Sequence, residues 1–591
     1  LACTWPAGAF ADGLSTLVVG SVRDQSGVPL DSVVEASDAS GHVVGRDRTQ
    51  ADGTFSILVE DAQPVTVTVR CRFCADAHAP VGTGPIVILV HRYEKLTSDV
   101  PSASDIAALP YAEVGDALGL GNYMVPTSNG TKTVTNISEG GLGRGRGLVL
   151  DDGVPVYDLA DGSSGLADFP SHDASAVVSG PERAFTYGSY ASGGTFALAP
   201  NREQSLLSVQ TGLEPSLRVG LGSENLFAGA AFSENADQVM RRRGDLSYDA
   251  DFAGGRLQVQ TADAALVNDG YSTTWSQNVA LGSISYETAS RHYRTFVSAA
   301  GATMQTFALM AGGLGTRASD LTTSLRVEHP GLVELAYGAQ SQRLSASLND
   351  FYVGRVADDL AYVEGRIGDE RTFIDLGASL SELNDALNFG AGTQSASTEA
   401  GLGSLSFGKA LGHFDLSGGA SSSLRIPTLG ETSMPTPAPN VMAVERGDLV
   451  QAALDYDDAH RIRVGAVAFH EALHGFGDRD TEGLGFSVAW QIAPLITLRS
   501  WSLDDDVAQT GAPTLYSILG PATTGRGVLW STYDNPLGLR VDAIVRRDVY
   551  AQGVSNSLDG DLVVPLGAKL QLTAGSYREN GLRRASLGMR F

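Results

Sequence analysis

The plainest catalytic spelling in the chain is His470, Glu471, Ala472, Leu473 and His474, an HExxH continued by Gly477 and Asp480. On a helix the two imidazoles share one face and bind zinc, with Glu471 as general base for the metal-bound water. That chemistry demands a helix, and the preceding residues spell a strand: Ile462, Val464, Ala466 and Ala468 alternate with Arg461, Arg463 and Gly465. Gly475, Gly477 and Asp478 read as a loop, and the only later methionine, Met589, is too remote for a Met-turn. On a strand, positions four apart are separated by about 13 Å, too far for one ion. The expectation is a strand that ends near Phe469 and runs into an external loop, with no catalytic residue and no metal.

Three further groups invite chemistry. Cys71 and Cys74 form a CxxC with no second CxxC or nearby histidine pair to complete a tetrahedral site, so a local disulfide or idle thiols are favoured over redox or metal roles. The glycines between Gly141 and Gly147 lack both the Lys-Ser/Thr of a phosphate loop and a following helix. Arg241, Arg242 and Arg243 form a lone cationic run, read as a solvated loop, with contact to lipopolysaccharide or an acidic ligand as the alternative.

These residues must be positioned by 591 residues carrying a net charge of −26, which disfavours a nucleic-acid partner. The longest apolar run, Ile86–Val90, is far below the ~18–20 residues of a membrane helix. A membrane barrel remains compatible, since its strands alternate and keep mean hydropathy near zero, here −0.01. Residues 1–16 read as a signal-peptide remnant or tail. Ala9-Phe10-Ala11 suits signal-peptidase cleavage, and acylation of Cys3 is the rival reading.

Residues 17–92 hold short alternating strands, at 17–22, 32–36, 54–59, 65–70 and 86–90, predicting a small β-sandwich. Its wording, from Gly20 to Leu30 and from Asp52 to Ile57, resembles the carboxypeptidase regulatory-like domain, a passenger without a peptidase site. Residues 97–203 open with a helical stretch over 103–118 and then become glycine-dense. Asp152-Gly153-Val154-Pro155, Gly180-Pro181, Tyr187-Gly188 and Gly193-Gly194 resemble the plug domain of TonB-dependent outer-membrane receptors. Residues 204–591 alternate throughout, as in Leu539, Val541, Ala543 and Val545 against Arg540, Asp542 and Arg546. About 390 residues of alternation without a second core predict a lipid-covered antiparallel barrel. Arg425, Pro427 and Glu431 are similar to the receptors' R-x-P-x-x-x-E segment, and Leu587, Met589 and Phe591 resemble the C-terminal signal read by the barrel assembly machinery.

The fold class expected is therefore all-β: a transmembrane antiparallel barrel of about 22 strands, with an internal α+β plug and an N-terminal sandwich. Alternation alone gives 22 to 25 strands, about ten residues each, leaving external loops of about ten residues on average. The resemblance implies an outer-membrane transporter for a metal chelate, vitamin or oligosaccharide, with its N-terminal domain in the periplasm and no cofactor. Its partners would be a TonB-type energising protein, outer-membrane lipid and lipopolysaccharide, and other outer-membrane proteins. The candidate segment for strand addition by the energiser is Ile86, Val87, Ile88 and Leu89, which also suit the closing strand of the sandwich. The alternatives are a non-transporting interaction barrel of the same fold and, remotely, a zinc hydrolase.

Overall fold

In the computed structural model the chain forms two compact units, within Leu1–Lys95 and within Leu96–Phe591. The residues described are strands and adjoining positions between 15 and 90, segments between 101 and 200, and the strands from 205 to 590. The chief stretches outside the described residues are 1–14, 91–100, 140–146, 160–173, 430–443 and 511–522. Cys3 and Cys74 fall among the residues not described.

Among the described residues the first unit has seven strands in two sheets. β1 (Ser15–Asp24), β4 (Thr54–Glu60) and β7 (Ile86–Val90) form one, in the order β4-β1-β7. β2 (Ser32–Ser37), β3 (Val43–Arg48), β5 (Thr66–Cys71) and β6 (Ala77–Pro80) form the other, in the order β3-β2-β5-β6. Alternating residues such as Val18, Val34, Phe55, Ile57, Val69 and Ile88 turn inward into one apolar core. β3 and β6 escape the sequence reading: each is short, and β3 carries Arg46, Asp47 and Arg48 in place of an apolar stripe.

The second unit begins with small elements. Of the expected helix over 103–118, the described residues hold α1 (Val114–Leu118) and one further helical residue, Ile106, with a bend at Leu109. A hairpin of β8 (Met124–Ser128) and β9 (Thr135–Glu139) follows. A four-stranded sheet then forms from β10 (Leu148–Asp151), β11 (Val154–Pro155), β12 (Ala174–Ser179) and β13 (Thr195–Pro200), in the order β11-β10-β13-β12.

Around these elements runs a closed barrel of 22 antiparallel strands, from β14 (Ser205–Gly212) to β35 (Leu582–Arg590). The ends pair from Ser208↔Arg590 to Gly212↔Ser586, so no barrel edge is left open. The start of β14 and the end of β35 define the barrel's proximal end. Strands run well past ten residues, to 16 in β22 (Val333–Leu348), 17 in β24 (Thr372–Asn388) and 19 in β25 (Thr393–Leu411). By the strand bounds, nine of the eleven far-end connections are only two to four residues long, and the other two span 426–444 and 511–522. The expected ten-residue loops are thus absorbed into the wall.

The outward faces explain the extra length. On β24, Ile374, Leu376 (52% exposed) and Leu380 (72% exposed) stand outward near the proximal end, and Glu382 and Asn384 continue the same face beyond them. On β22, Val333, Leu335 and Tyr337 give way in the same way to Ser341, Arg343 and Ser345. A 16-residue strand tilted ~40° climbs roughly 40 Å, more than the ~25 Å apolar band of a membrane barrel. The wall therefore carries an apolar belt with a polar rim above it.

Candidate functional site

The site is the junction between the inner elements and the barrel wall. β10 places Asp151 against β17 (Val239–Phe252), whose alternation turns Arg241, Arg243 and Asp245 inward. Arg243 Nη2 donates to Asp151 Oδ1 at 2.8 Å, its Nη1 donates to Asp151 Oδ2, and its Nε donates to Asp245 Oδ1 at 2.8 Å. The Arg243 side chain is 1% exposed and that of Asp151 7%. A charge so buried persists only with partners on several sides, and here two carboxylates supply them.

A second set of contacts surrounds α1. The carbonyls that follow a helix have no intrahelical donor. Gly119 O accepts from Arg526 Nη2 at 3.2 Å, and Leu120 O accepts from Trp501 Nε1 at 3.1 Å. Arg526 lies on β31 (Thr523–Asp534) and Trp501 on β30 (Ile496–Thr510). On β32 (Arg540–Tyr550), Arg546 reaches Asp116 of α1 at 3.5 Å and Asp559 of β33 (Gly553–Pro565) at 3.1 Å.

Between these polar ties the junction is apolar. Leu148, Val154, Val156, Leu159 and Phe185 join wall residues such as Leu281, Met304, Leu344 and Leu383 in one apolar cluster. Ile106, Leu118, Tyr123 and Phe196 join Phe469, Trp501, Val528 and Ile544 in another. The approach is close enough to require glycine. A Cβ on Gly377 of β24 would lie 2.1 Å from the Phe185 ring, and one on Gly147 would lie 2.0 Å from Ile137 O. Gly147 thus closes the glycine run as a backbone contact, with β9 and β13 on either side.

The sequence-derived candidates distribute as follows. The HExxH lies within β28 (Ile462–His474), so the strand continues five residues beyond Phe469, and only 475–477 separate it from β29 (Asp478–Ala493). His470 and His474 face outward and are exposed; Glu471 faces inward and is buried. His470 Nδ1 lies 3.5 Å from Glu482 on β29. The arginine run is a wall strand, which corrects the loop expected there: Arg242 points outward, while Arg241 and Arg243 point inward.

Ile86, Val87, Ile88 and Leu89 lie in β7, paired in parallel with β1 from Gly20↔Ile86 to Asp24↔Val90, so one side of their backbone is taken up by the sandwich. Pro155 lies in β11, Tyr187 offers its carbonyl to Gln340 Nε2 at 3.3 Å, and Gly194 precedes β13 at φ 95°. Asp152, Gly153, Gly180, Pro181, Gly188, Gly193, Pro427, Glu431 and Phe591 lie outside the described residues. Arg425, at the end of β26 (Phe414–Arg425), is buried against Glu445 at 3.2 Å. Leu587 is exposed on β35, and Met589 pairs through its backbone with Val209 of β14 and Leu572 of β34. Among the described residues no three His, Cys, Asp or Glu side chains are grouped to hold a metal ion.

No protein-family model matches the chain, and no curated protein is significantly similar to it in sequence. Solved structures are similar in fold. The alcaligin outer-membrane receptor FauA of Bordetella pertussis matches at 13% identity over 85% of this chain and 96% of its own, with a TM-score of 0.66. The siderophore receptor PiuA of Acinetobacter baumannii matches at 12% over 84% and 96%, with a TM-score of 0.68. The ferric yersiniabactin uptake receptor FyuA of Yersinia pestis matches at 12% over 84% and 97%, with a TM-score of 0.66. The chain has the plugged-barrel fold of TonB-dependent outer-membrane receptors.

Proposed function

We propose that the protein is an outer-membrane transporter in which residues 97–203 plug the barrel and are displaced to admit a scarce nutrient. The observation that carries this reading is an inner domain tied to the wall at two separate places, Asp151–Arg243 and α1–Arg526/Arg546. Such a domain can be released at one place while the other holds. Metal chelates head the substrate classes because three of the fold neighbours are receptors for siderophores or a ferric chelate; vitamins and oligosaccharides follow. In this reading the sandwich (residues 17–92) faces the periplasm. The energising protein of the TonB type would add a strand to β7, which lies at the edge of its sheet. Barrel assembly machinery would read the β35 end.

The second reading is a non-transporting barrel that serves an outer-membrane assembly. The short far-end connections and the apolar interface favour it, since a cargo needs walls to touch and a plug that moves. Hydrolysis has no support, because β28 places Glu471 and the two histidines on opposite faces.

Uptake of labelled ferric chelates by cells with and without the gene, each with and without an intact energising complex, separates these readings. Energy-dependent uptake that vanishes with the gene supports transport. Equal uptake in both strains, across chelates, a vitamin and an oligosaccharide, refutes it.

A further inference from the structure

Above the apolar belt, the outward face of three adjacent strands carries arginine: Arg317 on β21 (Leu314–His329), Arg343 on β22 and Arg355 on β23 (Tyr352–Gly368). All three lie toward the far end and are exposed. Arg343 Nη2 donates to Asp359 at 2.9 Å. Among the described residues, neither Arg317 nor Arg355 has an ion-pair partner.

The strand register fixes their spacing. Arg355 stands opposite Ser345 and is therefore the diagonal neighbour of Arg343, about 7–8 Å away. Arg317 stands opposite Ser347, one row further out. It is two strands from Arg355, roughly 12 Å away at ~4.8 Å per strand and ~7 Å per row. The wall thus holds two uncommitted guanidinium stems at a separation that suits two anions on one rigid frame better than one anion.

Height on the wall narrows the chemistry. Arg343 is ten residues beyond Val333, the proximal start of β22, and at a ~40° tilt it stands roughly 26 Å above it, at the outer edge of the ~25 Å apolar band. One row below Arg343, Asp359, Glu382 and Glu399 oppose one another across β23, β24 and β25. The next row down is apolar, with Leu325, Ala339, Ala361 and Leu380 all outward. That row belongs to a trough of about 1200 Å³ on the outside of the wall, which crosses eight strands from β18 (Gly255–Gly270) to β25. Its large side chains form the sides, and Ala339 and Ala361 leave the floor open. From the rim downward the order is cation, carboxylate, apolar groove.

We propose that this face binds one lipopolysaccharide molecule through its lipid A. The phosphates at the two ends of the disaccharide engage Arg317 and Arg355, with Arg343 below them. The amide N–H and hydroxyl donors where the acyl chains leave the sugar meet Glu382 and Glu399, and one acyl chain enters the trough. The argument is complementarity of charge and level, since guanidinium pairs well with phosphate and the three chemistries of the lipid follow the same order as the three rows. A glycerophospholipid offers a single phosphate to two separated cations. Arg241 and Arg243, in the run first read as a candidate for such contact, turn inward and are buried, so the contact moves to a different set of arginines. The inference rests on the outer-membrane reading, which places the far end in the leaflet that holds lipopolysaccharide. Its failure is distinguishable: a barrel that fractionates with the outer membrane but shows no preference for lipid A loses this site alone.

Native mass spectrometry of the purified full chain, offered equimolar bisphosphorylated lipid A, monophosphoryl lipid A and phosphatidylglycerol, tests the proposal. One bisphosphorylated lipid A should be retained with at least tenfold preference over each of the others. The double variant Arg317→Gln/Arg355→Gln should lose that preference, and Ala361→Trp, which fills the floor, should lose retention of lipid A. Arg242→Gln/Arg547→Gln removes the same charge from outward positions elsewhere on the rim and should keep the preference. Heat-modifiable gel mobility establishes that each variant has closed its barrel. Equal retention of the three lipids by the unaltered protein overturns the proposal. So does an unchanged preference in Arg317→Gln/Arg355→Gln, undiminished retention by Ala361→Trp, or a matching loss in Arg242→Gln/Arg547→Gln.

Discussion

Replacing Asp151 with Asn removes one of the two carboxylates that hold the buried Arg243 guanidinium while keeping the size of the side chain. Arg243 retains Asp245, so the cost falls at the low end for breaking a buried ion pair, about 3 kcal/mol. Arg243→Met leaves Asp151 and Asp245 buried without their cation and should cost about 5 kcal/mol. If the two groups act as a pair, the double variant lies near about 5 rather than the additive ~8 kcal/mol, a coupling of about 3 kcal/mol. At about 1.4 kcal/mol per decade, Asp151→Asn alone then raises the open population of the β10 region by roughly a hundredfold. Hydrogen exchange at the β10 and β13 amides reads this opening directly, with β22 and β24 as internal controls. Additive single effects, or unchanged exchange at β10 in Asp151→Asn, would refute the reading of Asp151–Arg243 as a tie between plug and wall.

Placement of the apolar belt predicts that Leu376→Arg, outward and low on β24, costs assembly about 2–4 kcal/mol, whereas Ala386→Arg, on the same face near the far end, costs under about 1. The heat-modifiable folded fraction measures both, and equal losses would remove the belt from where we place it. Gly377→Val should drive the Phe185 ring out of its seat at about 1–3 kcal/mol. Plug exchange should rise, and Phe185→Ala in the same background should restore it; a neutral Gly377→Val contradicts the packing. Glu471→Gln should change neither metal content nor uptake, and stoichiometric zinc held by both His470 and His474 would show that β28 has been misread.

Alternation made the barrel legible because every wall strand has one face toward lipid, and the register of β35 against β14 then closes it. The strand through Ala466 and Ala468 was legible for the same reason, and β28 carries it on through both histidines. Strand length was not legible, since polar residues such as Glu382, Asn384 and Ser345 look alike whether they sit in a rim strand or in a loop. Ile544 interrupts the polar inward face of β32 because the inner elements cover it. Arg243 and Asp151 are 92 residues apart with no local pattern to join them. Arg241 to Arg243 looked like a loop because three like charges in succession rarely suit a strand, and only the inward turn of two of them toward carboxylates and backbone resolves it.

The two apolar clusters indicate where a passage would open. The first uses wall strands from β18 to β26 and the second strands between β27 (Glu445–Asp457) and β32, β29 excepted, so apolar contacts hold the plug along most of that long arc. Among the described residues, none on the remaining arc, from β33 through β35 and β14 to β16 (Leu226–Glu234) and on to β17, belongs to either cluster, and β17 holds the inner elements through Arg243 and Asp151. Its inward positions include Asp559, Asp561, Arg218 and Ser233. Parting the plug from the apolar arc exposes apolar surface at about 25 cal/mol per Å², whereas parting it from the polar arc exchanges hydrogen bonds with water at far smaller net cost. A moving plug should therefore part from the β33–β16 side. A thiol introduced by Ser233→Cys should become reactive toward an impermeant maleimide when the energising complex is active, while one introduced by Ala346→Cys, on the apolar side, should stay protected. Reaction at Ala346→Cys before Ser233→Cys would place the opening on the opposite wall and contradict the argument from burial.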